Sequence, residues 1–294
     1  MEPAQRTERL IIDCDPGNGS PAANVDDALA LLFALRHPEL AVQAVWTVFG
    51  NVPVAAAHAA AERLVRQARA DRPVVRRGAA QALPRDRSAR LASALLPTLA
   101  ADLHAAGDGV VLACLGPLTN VATLVLQAPG ALAGVRRIWV MGGTIDGRRV
   151  DTNFALDPLA ARVVLHSGLP VTVVPWDVTR STSLSWAAWQ RIREEAAAAP
   201  GVEVEPIAEW LEPWLRLSSL RRPRRGMRLH DLAVVAGIAE PGIGSTRAAN
   251  VAVLDAPQGK LELAADGVPV ELVTGVDNEA LVAAWRETVL RRPA

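Results

Sequence analysis

The chain is nearly without lysine: Lys260 is the only one, so arginine carries almost all of the positive charge, and alanine is abundant. Such usage reflects a GC-rich coding bias and lowers the functional weight of any arginine run. Cysteine is scarce as well. Cys14 and Cys114 are the only two, and both fall at the ends of short apolar stretches, which fits buried free thiols rather than a disulfide framework. Charge of one sign is missing too, because 31 basic residues balance 31 acidic ones. That balance leaves no global electrostatic case for nucleic acid. No apolar run approaches the roughly 18 residues of a membrane span. Residues 1–9 are polar and lack the apolar segment of a secretory signal. Nothing reads as a linker, an internal repeat or a low-complexity tract. The expectation is a cytoplasmic protein that meets neither nucleic acid nor membrane, its 294 residues forming a single domain, 1–294, with a substantial core.

What the chain does have is a concentration of acid near its start. Leu10, Ile11 and Ile12 form a short apolar run that Asp13, Cys14, Asp15, Pro16 and Gly17 stop abruptly, as at the carboxyl end of a buried strand. A loop of small residues leads to Asn24, a natural N-cap, and then Asp26 and Asp27 open the helix-forming run 28–33. A helix N-terminus stabilises a nearby anion by up to about 1 kcal/mol, less than the cost of crowding several carboxylates. A bound hard cation resolves the conflict. Oxygen-only ligands suit Ca²⁺ or Mg²⁺, and no His or Cys cluster nearby points to zinc. For one or two of these aspartates, helix capping and turn solvation explain as much. The D-x-D after a first strand also resembles the nucleophile loop of the haloacid dehalogenase phosphatases, in which Asp13 would form a covalent intermediate; those loops do not continue into D-D-x-x-A-L.

Downstream the pattern alternates. Strand candidates fall at residues 42–50, 73–75, 110–114, 135–141 and 171–174, with helical stretches at 54–70, 92–105, after Pro117 and from Pro158 to His166. This alternation predicts an α/β fold, a mostly parallel central sheet with helices on both faces. Ligands of such sheets bind beyond the carboxyl ends of the strands, where Asp15, Asn51, Leu115, Met141 and Trp176 all fall. Asp146 and Gly147 read as a hairpin turn. His58 reads as a packed or surface histidine.

Residues 185–220 read as Trp-rich helices covering the sheet near its C-terminal part, ended by the arginine run 221–226. Trp210 and Trp214 can share a helical face, for core packing or for stacking on a base. The arginine run reads as a solvated loop or a phosphate contact. His230 and Asp231 stand directly before the apolar run 232–238, an unusual place for polar residues unless they face a site. Short strands are expected over 251–274, and Asp277 and Asn278 open a last helix ending near Leu290.

Several separated motifs together resemble the nucleoside hydrolases, enzymes that cleave the N-glycosidic bond of ribonucleosides. Asp13, Asp15, Gly17, Asp26, Asp27, Ala28 and Leu29 match the signature D-x-D-x-G-x-D-D-x-x-A-L. Val48, Phe49, Gly50, Asn51 and Val52 look like V-x-G-N-V, Gly116, Pro117, Leu118, Thr119 and Asn120 match G-P-L-T-N, and Met141, Gly142 and Gly143 follow in order. Asn153, Asp157 and Pro158 resemble A-E-F-N-x-x-x-D-P, Asp177, Val178 and Thr179 resemble D-V-T, and His230 with Asp231 resembles H-D.

The resemblance implies a Rossmann-like nucleoside hydrolase fold and a Ca²⁺ held by Asp15, Asp27, Asp231 and the backbone carbonyl of Leu115. It implies a substrate, a nucleoside or related riboside, contacted by Asp26, Asn51, Met141, Asp151, Asn153 and His230. The catalytic residues it implies are Asp15, as base toward a water, and His230, as the acid nearest the leaving base; the assembly it implies is a homodimer or homotetramer. The chain departs from the pattern in three places. The loop from Gly17 to Asp26 is longer than the common form, Asp151 and Thr152 replace the usual Glu and Phe, and the glycine-rich segment expected after Gly78 is absent. These departures point to shifted specificity or to a homologue that binds a sugar or nucleoside without turning it over.

Overall fold

The first strand sets the architecture by its alternation. In the computed structural model, which describes residues 7–68, 72–84, 95–146, 149–223, 225–254 and 259–291, β1 (Glu8–Cys14) sends Leu10, Ile12 and Cys14 into one apolar core and Ile11 into another. A strand buried on both faces reads as a continuous apolar run, as this one does. β2 (Leu40–Thr47), β3 (Val74–Arg77), β4 (Val110–Cys114), β5 (Val135–Met141) and β6 (Val171–Val174) join it in the parallel order β3-β2-β1-β4-β5-β6.

Helices make the crossovers. α1 (Asp26–Arg36) follows β1, α2 (Val54–Ala68) follows β2, α3 (Leu95–Ala106) precedes β4, and α4 (Thr119–Gln127) follows it. Two short helices, α5 (Thr152–Leu156) and α6 (Pro158–Leu165), fill the connection from β5 to β6. Beyond β6 come α7 (Trp176–Thr179), α8 (Trp186–Ala198), α9 (Glu205–Arg221) and α10 (His230–Ala239). Helix α1 is buried nearly all round, and it packs with α8, α9 and α10 in the core on one face of the sheet, whereas α3, α4 and α6 cover the other.

The far edge of the sheet is antiparallel. β7 (Gly244–Val253) pairs antiparallel with β8 (Leu261–Leu263) and with β9 (Val268–Val276), and β9 closes onto β6 in parallel, giving among the described residues nine strands in the order β3-β2-β1-β4-β5-β6-β9-β7-β8. α11 (Asn278–Leu290) ends the described fold, with the Asp277 carboxylate accepting from Glu279 N–H at 2.9 Å.

The alternating pattern located the parallel strands well. Val110–Cys114, Val135–Met141 and Val171–Val174 fall where apolar runs place them. Other expectations need correction. The turn at Asp146 does not make a hairpin, since β5 has parallel neighbours on both sides and Thr144 forms an isolated parallel bridge with Lys260. Gly147, the arginine at 224, the start of the helix expected from 92, the segment 85–88 and the turn at Pro257 lie outside the described residues. β2 closes at Thr47, before Gly50, and β7 starts at Gly244, ahead of the expected 251, because its exposed outer half carries no apolar signal. The cap of α1 is Val25, although Asn24 Oδ1 does accept from Asp26 N–H at 3.2 Å.

Candidate functional site

Two helix N-termini and two strand ends meet at one place. Asp15 lies just past β1, Asp26 and Asp27 open α1, Asn51 follows β2, and His230 and Asp231 open α10, which packs along α1. Backbone N–H groups at these helix starts favour carboxylates. The Asp15 N–H donates to Asp27 Oδ1 at 3.0 Å, and the Asp231 N–H donates to Asp26 Oδ2 at 2.9 Å. Asn51 spans the pair: its backbone N–H donates to Asp15 Oδ2 and its side-chain amide donates to Asp27 Oδ2 at 2.9 Å.

These carboxylates strain one another electrostatically. Burial, then the charge of Asp27, pushes the Asp15 pKa well above the usual carboxylate value, and burial followed by Asp27 and Asp26 does the same to Asp231. Asp26 and Asp27 are raised as well, burial again leading. Asp15 Oδ1 and Asp26 Oδ1 are buried and accept no hydrogen bond. A cluster of acids with idle oxygens and no adjacent cation is the condition that a hard, oxygen-seeking ion relieves. Among the described residues no three or more His, Cys, Asp or Glu side chains stand as a group arranged to hold a metal ion. The donor set is all oxygen, however, and the idle lone pairs fit such an ion.

Asp15 is tightly cradled. A Cβ on Gly50 would overlap Asp15 Oδ2, and one on Gly116 would stand 2.8 Å from Asp15 Oδ1 and 2.7 Å from Val48 Cγ1. These two glycines therefore bring the strand-end loops against the carboxylate, a role that the motifs contain but their spacing does not reveal.

A cavity of about 120 Å³ opens above, lined by Asn24, Asn51, Leu115, Met141, Asp151, Thr152, Asn153, Trp176, His230 and Asp231. The structure thus brings Asn51, Leu115, Met141, Asp151, Asn153, His230 and Asp231 to one wall. Asp15, Asp26 and Asp27 do not line it themselves but are hydrogen-bonded to Asn51 and Asp231, which do. Asn153 Nδ2 donates to the carbonyls of Leu115 at 2.6 Å and Met141 at 3.0 Å, which leaves each carbonyl a further lone pair. Asp151 caps α5 by accepting from Phe154 N–H at 2.9 Å, and burial raises its pKa to about 6. Gly142 leaves the room that the Phe154 ring fills, since a Cβ there would overlap it.

His230 Nδ1 shares a 2.6 Å hydrogen bond with Thr179 Oγ1. Burial, aided by the charges of Arg228 and Arg222, lowers its pKa to about 3, so the ring is neutral at pH 7. Asp177, three elements away in the sequence pattern, accepts from Ile145 N–H at 2.5 Å and fixes the loop beyond β5.

Other motif residues brace the site from outside it. Asp13 accepts from Asn120 Nδ2 at 2.8 Å and, like Asp15, does not line the cavity. Asp157 accepts from Thr119 Oγ1 at 2.7 Å and from Leu83 N–H at 2.8 Å. Trp210 and Trp214 line a separate hollow against residues 19–25. The sequence reading named Thr152 and Thr179 as motif positions but gave neither a role, and it missed that Thr152 lines the cavity and that Thr179 supports His230; neither carries a charge to draw attention.

The family model described as "Inosine-uridine preferring nucleoside hydrolase" matches residues 10–283. The chain belongs to that family. This nucleoside hydrolase is 31% identical over 271 residues to the non-specific ribonucleoside hydrolase RihC of Klebsiella pneumoniae subsp. pneumoniae, covering 83% of each chain. It is 29% identical to the protein of that name from Shigella flexneri, over 83% of each. Its fold is similar to the purine-preferring ribonucleoside hydrolase from Gardnerella vaginalis, with TM-score 0.81, 22% identity, and coverage of 96% of this chain and 98% of that one. The inosine-uridine preferring nucleoside hydrolase from Bacillus anthracis gives TM-score 0.76 at 16% identity, covering 96% and 99%.

Proposed function

We propose that this chain hydrolyses the N-glycosidic bond of a ribonucleoside or related riboside to ribose and free base, with Asp15 as general base and Ca²⁺ as cofactor. Family membership carries the reaction class, that of an N-ribosyl hydrolase, and the relatives named as ribonucleoside hydrolases support the substrate class. The observation that carries the site is the convergence of Asp15, Asp27 and Asp231 on one buried spot, with Asp15 Oδ1 left unpartnered beside it.

Asp15, Asp27 and Asp231, with the free lone pair of the Leu115 carbonyl, would hold the cation. When bound, Ca²⁺ supplies a charge that orients a water and sugar hydroxyls while acidifying the water little. A carboxylate must then take the proton, and Asp15, whose buried Oδ1 is unpartnered, is the group assigned to that task. As the bond to the base lengthens, the sugar gains positive charge that the carboxylates of Asp15, Asp26, Asp27 and Asp231 stabilise. Asp26, Asn51, Asp151 and Asn153 hold ribose hydroxyls, Met141 packs against the sugar, and the neutral His230 offers the leaving base a hydrogen bond.

A homodimeric or homotetrameric form and a cytoplasmic setting belong to the same reading; no helix among the described residues is long and apolar enough to cross a membrane. Release of reducing sugar from a nucleoside panel, with and without chelator, tests the function. Sugar release insensitive to chelator removes the metal role, and binding without any release favours the inactive homologue.

A further inference from the structure

The acidic floor of the cavity has an electrostatic opposite at its edge. Trp176 lines the cavity, and two guanidinium groups stand over its ring, Arg228 at 5.0 Å and Arg180 at 5.8 Å from the centroid. Arg228 Nε and Arg222 Nη2 are buried and have no hydrogen-bond partner. Among the described residues no acid is ion-paired with Arg149, Arg222, Arg225 or Arg228, whereas Arg180 reaches Asp146 only at 3.8 Å.

Among the described residues no ion pair joins Arg222 or Arg228 to the aspartates of the site. The main influences on Arg228 besides burial are other arginines, Arg222, Arg149, Arg180 and Arg225, all of which disfavour its charge. In a chain of zero net charge this is local segregation rather than a global bias. Part-buried guanidinium groups with nitrogens that no hydrogen bond satisfies are the donors that planar or tetrahedral oxyanions suit. A neutral nucleoside offers them nothing.

We propose that the substrate is an anionic riboside, whose phosphate or carboxylate is taken by Arg228 and Arg222 beside Trp176 while its ribose lies over the aspartates. This deepens the hydrolase reading above and rests on it for turnover. The anion has two chemical sources, a phosphate ester on the 5′ hydroxyl or a carboxylate on the base. Hydrolysis of a 5′-phosphorylated riboside consumes one water, breaks the bond from C1′ to nitrogen, and yields the protonated free base and ribose 5-phosphate, so the anion stays on the sugar.

Uridine, uridine 5′-monophosphate and orotidine separate the cases, since the second adds only a phosphate and the third only a carboxylate on the base. With the cation-loaded protein at low salt, one anionic member is expected to exceed uridine in kcat/KM by about tenfold or more. In Arg228→Gln the anionic-to-neutral ratio falls by about tenfold, and Arg228→Lys recovers part of it. Arg222→Gln repeats the measurement should Arg228→Gln fail to fold. Protection against thermal unfolding by the same three compounds reads binding without turnover. Uridine preferred over both anions, with ratios unmoved by either variant, overturns the inference and leaves the hydrolase standing. Absence of cleavage for all three removes the hydrolase reading, and the protection series then decides the anion site alone.

Discussion

Asn51 holds the two acids that open the site: its backbone N–H donates to Asp15 Oδ2 and its side-chain amide donates to Asp27 Oδ2 at 2.9 Å. The two bonds can be separated by mutation. Asn51→Ala keeps the backbone donor and removes only the amide, so kcat/KM is expected to fall by about tenfold to a hundredfold, the worth of a hydrogen bond to a charged group. Asn51→Asp is expected to be worse, because it sets a like charge against Asp27. Equal kinetics for the two variants, measured on the same nucleoside, contradict this account.

Asn51 also shows how far the sequence could be read. A strand end followed by Gly-Asn marked it for the site, as the alternation of apolar and polar segments marked Asp15, Leu115 and Met141, because in a parallel sheet strand ends are where the chain must turn over the same edge. The pairing of α1 with α10, which brings Asp231 to Asp26 across most of the chain, is set by tertiary packing of two nearly all-apolar helices and has no local signal. β7 was legible only in its buried half, since its exposed residues Gly244 to Asn250 lack the alternation that a strand shows when one face is covered. Arg222 was visible as part of a run, but Arg180 and Arg228, which stand over Trp176, were not singled out, because their placement depends on how α7 and the segment before α10 fold.

Gly116 should tolerate no side chain. The alanine Cβ in Gly116→Ala would stand 2.8 Å from Asp15 Oδ1, tighter than real contacts allow, and Val48 on its other side leaves no retreat. Displacement of a general base by a fraction of an ångström costs turnover more than binding. The expected result is a kcat reduced by about a hundredfold with a smaller change in KM. Asp15→Asn, which keeps an oxygen ligand but removes the base, is expected to abolish turnover while cation-dependent thermal stabilisation persists in part. Near-normal hydrolysis by Asp15→Asn would remove Asp15 from the mechanism.

Stability can be lowered without touching the site. Asp102, nearly buried, accepts from Trp46 Nε1 at 2.9 Å and from Arg76 Nη2 at 2.8 Å, tying α3 to the β2–β3 edge. Arg76→Met leaves that carboxylate with the indole alone. Removing one partner of a fully buried pair costs about 3–5 kcal/mol, and the partial exposure of Arg76 reduces the expected loss to about 1–2 kcal/mol. Denaturant unfolding reads this, and KM for the nucleoside should not move.

The aspartate cluster makes stability depend on pH and cation together. Asp15, Asp26, Asp27 and Asp231 are each raised above the ordinary 3.8, burial being the leading cause, and Asp151 is raised to about 6. Between those values the folded chain holds protons that the unfolded chain has released. The slope of unfolding free energy with pH is therefore negative there, and metal-free protein loses stability as pH rises from 3.8 through the folded pKa values. Protons at low pH and a divalent cation at high pH discharge the same repulsion, so they compete. In chelator, Tm is expected to fall between about pH 5.5 and pH 8, while added Ca²⁺ raises it by mass action, more at the higher pH. A Tm that ignores Ca²⁺ at both pH values would mean that the carboxylates are balanced by the protein itself, and Asp231 would then have no reason to sit against Asp26 and Asp27.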